Sequence, residues 1–143
     1  MKLGMGLVAG LGMGVVGLVG GCSTTGTMPP APRADQAAGN YPNITVQDAR
    51  LRNFIVISDV SVSGGELMKV NVALRLDYTG EATSSVQYRF TFLDARGTPL
   101  ASQSGWQLMD LPPRVQRFMT GVALDKGAED WRLEIRSAQG GIH

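Results

Sequence analysis

The sequence predicts an all-β domain, an immunoglobulin-like antiparallel β-sandwich of about seven short strands, preceded by a signal peptide and a disordered tether. Three observations carry the fold class. Met68, Val70, Val72, Leu74, Leu76 and Tyr78 alternate with Lys69, Asn71, Ala73, Arg75 and Asp77, a period of two that suits a strand with one buried and one wet face. Turn signals recur at short, regular spacing from Ser63 to Asp130. No stretch carries a helical apolar stripe, and no internal repeat is visible.

The strands follow in order. Ile55 and Ile57 share one phase and Val60 and Val62 the other, so the slip at Ser58-Asp59 predicts a β-bulge or a strand that changes sheets. Ser63-Gly64-Gly65-Glu66 turns the chain into the Met68–Tyr78 strand. Val86, Tyr88, Phe90 and Phe92 form the next buried face, and Asp94-Ala95-Arg96-Gly97 turns it into a short strand around Pro99–Ser102. Trp106 and Leu108 come next, before Leu111-Pro112-Pro113-Arg114 breaks the run. Phe118, Thr120, Val122 and Leu124 carry a further strand, and residues 125–130 form a polar turn. In the last strand Trp131, Leu133 and Ile135 face inward, while Arg132, Glu134 and Arg136 face outward. The tail, Gly140 to His143, is expected to be loose.

The chain before this domain reads differently. Met1-Lys2 supplies a positive start, and Leu3 to Val19 is seventeen residues without a charge. Charge, a short apolar run and small residues at the end form the pattern of a secretory signal. A retained transmembrane helix needs about twenty apolar residues, and each glycine costs a helix about 1 kcal/mol relative to alanine. Gly6, Gly10, Gly12, Gly14 and Gly17 therefore favour a cleaved signal over residues 1–21. Residues 22–41, with Pro29, Pro30 and Pro32, form a flexible tether that spans roughly 25 Å as a coil and up to ~60 Å when extended. The domain then runs over residues 42–143. Asn43-Ile44-Thr45 matches the N-glycosylation pattern, which a bacterial export signal makes incidental.

At 143 residues there is room for one domain, large enough for a core without staples. Cys22 is the only cysteine, so no disulfide forms within the chain. Once residues 1–21 are removed, twelve basic side chains face twelve acidic ones, which gives no electrostatic reason to expect a nucleic acid partner.

Catalytic chemistry is poorly supplied. His143 is the only histidine and stands at the end of the sequence, so a nucleophile–histidine arrangement would rest on a frayed terminus. The acids fall mainly in turns or on wet strand faces. No catalytic, cofactor-binding or metal site is therefore expected. Asp125, Glu129 and Asp130 share a turn without calcium-loop spacing, and Met68, Met109 and Met119 read as core rather than as a copper site. Trp106 and Trp131 are likewise expected to pack in the core. Among the outward charges, Lys69, Arg75, Asp77, Arg89, Arg132, Glu134 and Arg136, ordinary cross-strand pairing accounts for most. Arg89 and Arg132 mark the face expected to bind a protein partner.

Two resemblances add to this reading. Leu18-Val19-Gly20-Gly21-Cys22 resembles the lipobox of bacterial lipoproteins. It implies cleavage before Cys22, acylation of that cysteine and, because Ser23 rather than Asp follows, attachment to the outer membrane on its periplasmic face. Two or more acyl chains anchor stably where one is marginal.

The run Gln87-Tyr88-Arg89-Phe90-Thr91-Phe92-Leu93-Asp94-Ala95-Arg96-Gly97 resembles the YcfL-like family of predicted periplasmic lipoproteins, with its aromatic-Arg-aromatic strand ending in Asp-x-x-Gly. Ser104 to Leu108, Leu111-Pro112-Pro113 and Ala128 to Arg136 agree, so the likeness covers Val56 to Ser137. It implies a lipid-anchored sandwich of undefined molecular function, and it brings no catalytic or ligand residues. Members often stand beside lipoprotein activators of peptidoglycan synthases, which implies work in the cell envelope.

The expected function is thus a non-catalytic protein-binding or scaffold module, held on the membrane through Cys22 and partnered by an envelope protein. The alternatives are a structural lipoprotein of a secretion or pilus machine and a small-ligand carrier.

Overall fold

The computed structural model describes residues 36–138, which form eight strands, a 3-10 turn and one short helix. In chain order these are β1 (Gln36–Ala37), the 3-10 turn Ala38–Asn40, β2 (Ile44–Val46), α1 (Ala49–Phe54), β3 (Ile55–Ser63) and β4 (Lys69–Leu76). Then come β5 (Ser84–Leu93), β6 (Gln107–Leu111), β7 (Arg117–Val122) and β8 (Asp130–Ser137). The strands build two four-stranded sheets, β1-β3-β4-β7 and β2-β8-β5-β6. The β-sandwich is therefore present. The signal segment, Cys22 and the tail from residue 139 lie outside the described residues.

Period-two alternation sets the core. From β4, Val70, Val72, Leu74 and Leu76 are buried, and from β5, Val86, Tyr88, Phe90 and Phe92 are buried. Trp131, Leu133 and Ile135 of β8 complete the inner face of the second sheet. Apart from the hydroxyl of Tyr88, the fully buried side chains among the described residues are apolar, so apolar burial dominates the core.

The phase slip in β3 is a real irregularity. Its pairing with β4 shifts between Ile57 and Asp59, which leaves Ser58 out of the ladder with its hydroxyl donating to Ala73 O at 3.1 Å. The extra residue lets Ile57 oppose Leu74 and Val60 oppose Val72, so both phases point inward. The turn after β5 also follows its sequence. Asp94 Oδ1 accepts from Arg96 N and Thr98 N, and Gly97 takes a φ of 76°, where a side chain would be strained.

Five features depart from the sequence reading. First, β2 pairs with β8 in parallel, with Ile44 opposite Leu133 and Val46 opposite Ile135. Asn43 pins this pairing, because its Nδ2 donates to Trp131 O at 2.8 Å and to Asp130 Oδ1 at 2.9 Å. Second, a helix exists. Asp48 caps α1 by accepting from Arg50 N and Leu51 N, and Leu51 buries against the core. Six residues are too few for an apolar stripe to show in sequence. Third, the end of the predicted tether is folded: β1 pairs with β3, and Ala38 is buried. Fourth, Pro99–Ser102 forms no strand, only an isolated bridge from Pro99 to Leu93. Fifth, β7 and the two residues after it turn Met119, Gly121 and Ala123 inward and leave Phe118, Val122 and Leu124 exposed.

The cap yields a direct expectation. Asp48→Ala should lower the unfolding free energy by about 1 kcal/mol in urea titrations, since two helix N–H groups lose their acceptor. Asp48→Asn should retain most of that stability.

Candidate functional site

The outer face of the β2-β8-β5-β6 sheet concentrates charged and aromatic groups. Alternation along β5 sends Gln87, Arg89 and Thr91 outward, and along β8 it sends Arg132, Glu134 and Arg136 outward. The antiparallel register sets Arg89 opposite Glu134, Gln87 opposite Arg136 and Thr91 opposite Arg132. Arg89 donates through Nε to Glu134 Oε2 at 3.0 Å and through Nη2 to the same oxygen. Gln47 Nε2 reaches the other carboxylate oxygen at 3.4 Å, and Arg136 Nε donates to Gln87 Oε1 at 2.9 Å.

Trp106, just before β6, lies against both arginines. The Arg136 guanidinium carbon is 3.9 Å from its ring centroid and that of Arg89 is 4.6 Å away. Each such contact at a partly exposed site contributes about 0.5–1 kcal/mol. The two contacts hold the ring and both guanidinium groups in one arrangement on this face. Leu108, opposite Gln87 on β6, extends the face with an exposed apolar side chain. Ser85 and Asp110 hydrogen-bond at its border.

The expected site residues are distributed unevenly. Arg89 joins this face in a paired and stacked state, and Arg132 lies on it, exposed. Lys69 and Arg75 belong to β4 of the other sheet, and Asp77 follows that strand. Trp131 is in the core as expected, but Trp106 is not. It shares the outward phase of Leu108, while Met109 and Leu111 supply the inward phase of β6. Arg89 and Arg136 are diagonal neighbours on the β5–β8 ladder, and no spacing along either strand signals their shared contact with Trp106.

Asp125 accepts from Ser102 N, and Asp130 accepts from Asn43 Nδ2 and Trp131 N. Among the described residues no three His, Cys, Asp or Glu side chains gather as metal ligands. Met119 is buried, and Met68 and Met109 pack against the core. Tyr88 donates to Gln107 Oε1 at 2.8 Å, and burial pushes its hydroxyl pKa above the ordinary tyrosine value.

A family model described as "Protein of unknown function (DUF1425)" matches residues 42–137, which span the strands of this face. The chain belongs to the DUF1425 family. Two solved structures share the fold. The Campylobacter jejuni protein cj0090 is 19% identical with a TM-score of 0.54, over 68% of this chain and 99% of that one. A DUF1425 family member from Shewanella sp. pv-4 is 18% identical with a TM-score of 0.52, over 61% of this chain and 81% of that one. No curated protein matches the chain. At these identities the likeness is one of fold, so the chemistry of this DUF1425 domain has to be read from its own residues.

A second feature of the DUF1425 domain is a cleft of about 350 Å³ beside α1. Leu51, Phe54, Leu76, Tyr78 and Val86 line it, and Phe54 and Tyr78 meet edge to face at 5.1 Å. Arg50 and Ser84 lie at its polar margin.

Proposed function

We propose that this DUF1425 protein is a non-catalytic, lipid-anchored module on the periplasmic face of the outer membrane. It binds an envelope protein, within cell-wall maintenance, through the outer face of the β2-β8-β5-β6 sheet. The observation that supports this most is Trp106 held against Arg89 and Arg136 on an open sheet face. Trp and Arg dominate binding hot spots, and this ring beside the exposed Leu108 offers an anchor with a polar surround. Attachment through acyl chains on Cys22 rests on the lipobox-like Leu18 to Cys22, and the tether rests on the prolines that follow.

A photocrosslinker replacing Arg132, which is exposed and outside the Arg89–Glu134 pair, is expected to trap one defined envelope protein in cells. Adding Trp106→Ala should cut that adduct about tenfold or more, the loss of a hot spot. An adduct that survives Trp106→Ala, or no adduct at all, overturns the assignment of this face. Cys22→Ser should separately shift the protein from the membrane to the soluble fraction.

The cleft supports a second reading, a small-ligand carrier. Its volume lies at the lower end of the roughly 300–1,000 Å³ of ligand sites, and its floor is apolar. Native mass spectrometry of the purified full chain should then show a bound small molecule that Leu51→Trp displaces. Bare protein in both samples would reject it.

A further inference from the structure

The first sheet ends on a strand edge that no other strand covers. Most strand edges in the domain are blunted: β1 has two residues, β2 has three, and β6 carries Asp110 and runs into Pro112-Pro113. β7 differs. It is the terminal strand of β1-β3-β4-β7, and from Phe118 to Val122 it contains no charge and no proline. Its outward side chains are Phe118 and Val122, 55% and 42% exposed, on either side of Thr120.

The main-chain phase fixes what this edge offers. Ala123 N donates to Met68 O at 2.8 Å, and the register continues through Gly121 opposite Val70 and Met119 opposite Val72. Hydrogen-bonded pairs recur at every second residue of an antiparallel ladder. The N–H and C=O groups of Phe118, Thr120 and Val122 therefore point away from β4, toward the open edge. These three are symmetric about Thr120.

We infer that β7 pairs antiparallel with β7 of a second copy of this chain, about a two-fold axis at Thr120, to make one continuous sheet across the dimer. This is the register in which all three outward pairs meet: Phe118 with the partner's Val122, Thr120 with the partner's Thr120, and Val122 with the partner's Phe118. About six new main-chain hydrogen bonds form. On the outer face, an aromatic side chain meets a β-branched one in two symmetric rows, a favourable cross-strand combination. Between them runs a polar row, because Thr120 Oγ1 already donates to Asn71 Oδ1 at 2.9 Å and keeps lone pairs for its mate. The charges also agree. Arg117 opens the strand and, in this register, stands opposite the partner's Ala123 and diagonal to the partner's Asp125, a carboxylate it can reach. On the inner face Met119 and Gly121 are already buried, so nothing in the core has to move.

The test is oxidative crosslinking of the full chain in cells. In this register the Thr120 Cα atoms lie about 5.5 Å apart, inside the disulfide range of roughly 4.4–6.8 Å. Asn71 and its mate stand three strand spacings apart, about 14 Å, beyond any disulfide. Thr120→Cys should give about tenfold more disulfide-linked dimer, seen without reductant and lost with it, than Asn71→Cys or the unsubstituted chain, both of which keep Cys22. Equal crosslinking at the two positions would overturn the pairing. The register is checked by mixing: Phe118→Cys and Val122→Cys chains should crosslink together and not alone. Thr120→Pro removes an outward N–H and the hydroxyl bond to Asn71 but leaves the β4 main-chain ladder intact, so the chain should stay folded, with a modestly lower unfolding temperature, and sediment as a monomer. A folded Thr120→Pro chain that still dimerises, or an unsubstituted chain that stays monomeric at all concentrations, equally rejects the proposal.

Discussion

Truncating Phe90 to alanine is expected to lower the unfolding free energy by about 3–5 kcal/mol, read as a shift in the urea midpoint. Phe90 is fully buried, and its ring lies 6.2 Å from Tyr88, 6.3 Å from Phe92 and 6.1 Å from Trp131 between centroids. It also spans the two sheets. A Cβ on Gly121 of β7 would fall 2.4 Å from Phe90 Cγ, so the ring rests directly on the backbone of the opposite sheet. A domain of this size has a total stability of about 5–15 kcal/mol, so the loss takes a large share of it. The contact makes a sharper test available. Gly121→Ala should cost about 1–3 kcal/mol, because the ring it strikes is locked by three aromatic neighbours. In the Phe90→Ala background the same methyl enters a void, so the two losses should fall short of additive by about 0.5–3 kcal/mol. Strict additivity would mean that the ring does not lie on Gly121.

That contact explains where the sequence misled. The strand Phe118–Leu124 has its larger side chains in one phase, and burial by size puts that phase inward. The inner phase instead holds Met119, Gly121 and Ala123, because Phe90 fills the space that a larger residue on β7 would need. The size of a core side chain is a property shared across the sheets, and a single strand does not display it. Trp106 fails for a related reason. Bulk next to a strand suggests burial, yet its partners Arg89 and Arg136 are brought to it by the β5–β6 and β5–β8 pairings, and pairing order is a long-range fact. Local signals fared better. The β3 bulge, the Asp94–Gly97 turn and the alternation of β4, β5 and β8 each depend on neighbours along the chain, and each is present. The parallel β2–β8 pairing was illegible because three residues carry no direction signal, and Asn43, which pins it, resembled only a glycosylation pattern.

Replacing Gln103 by alanine is expected to cost about 1–3 kcal/mol although the residue is only half-buried and lies in a loop. Beyond Tyr88 the β5 edge has lost β6 as its partner, and Leu100 N supplies Phe92 O with one hydrogen bond at 2.9 Å. The Gln103 amide supplies the rest. Its Oε1 accepts from Phe92 N at 2.9 Å, and its Nε2 donates to Phe92 O at 2.9 Å and to Leu100 O at 2.8 Å. The side chain therefore does the work of a strand residue beside a buried segment, and alanine leaves the Phe92 N–H without an acceptor. Gln103→Glu separates this role from simple space filling. It preserves size and the acceptor for Phe92 N, but when ionised it sets an oxygen against two carbonyl oxygens. The protonated acid can still donate to one of them, so folding raises the pKa of the new carboxyl above its unfolded value of about 4.3. A raised folded pKa means that its contribution is complete below the unfolded pKa and is lost as pH rises through the folded one. Gln103→Glu should thus lie close to the unsubstituted chain near pH 4 and fall behind it by pH 7, with Gln103→Ala offset equally at both. A Gln103→Glu deficit that does not change with pH would show that the amide hydrogen bonds do not hold this edge.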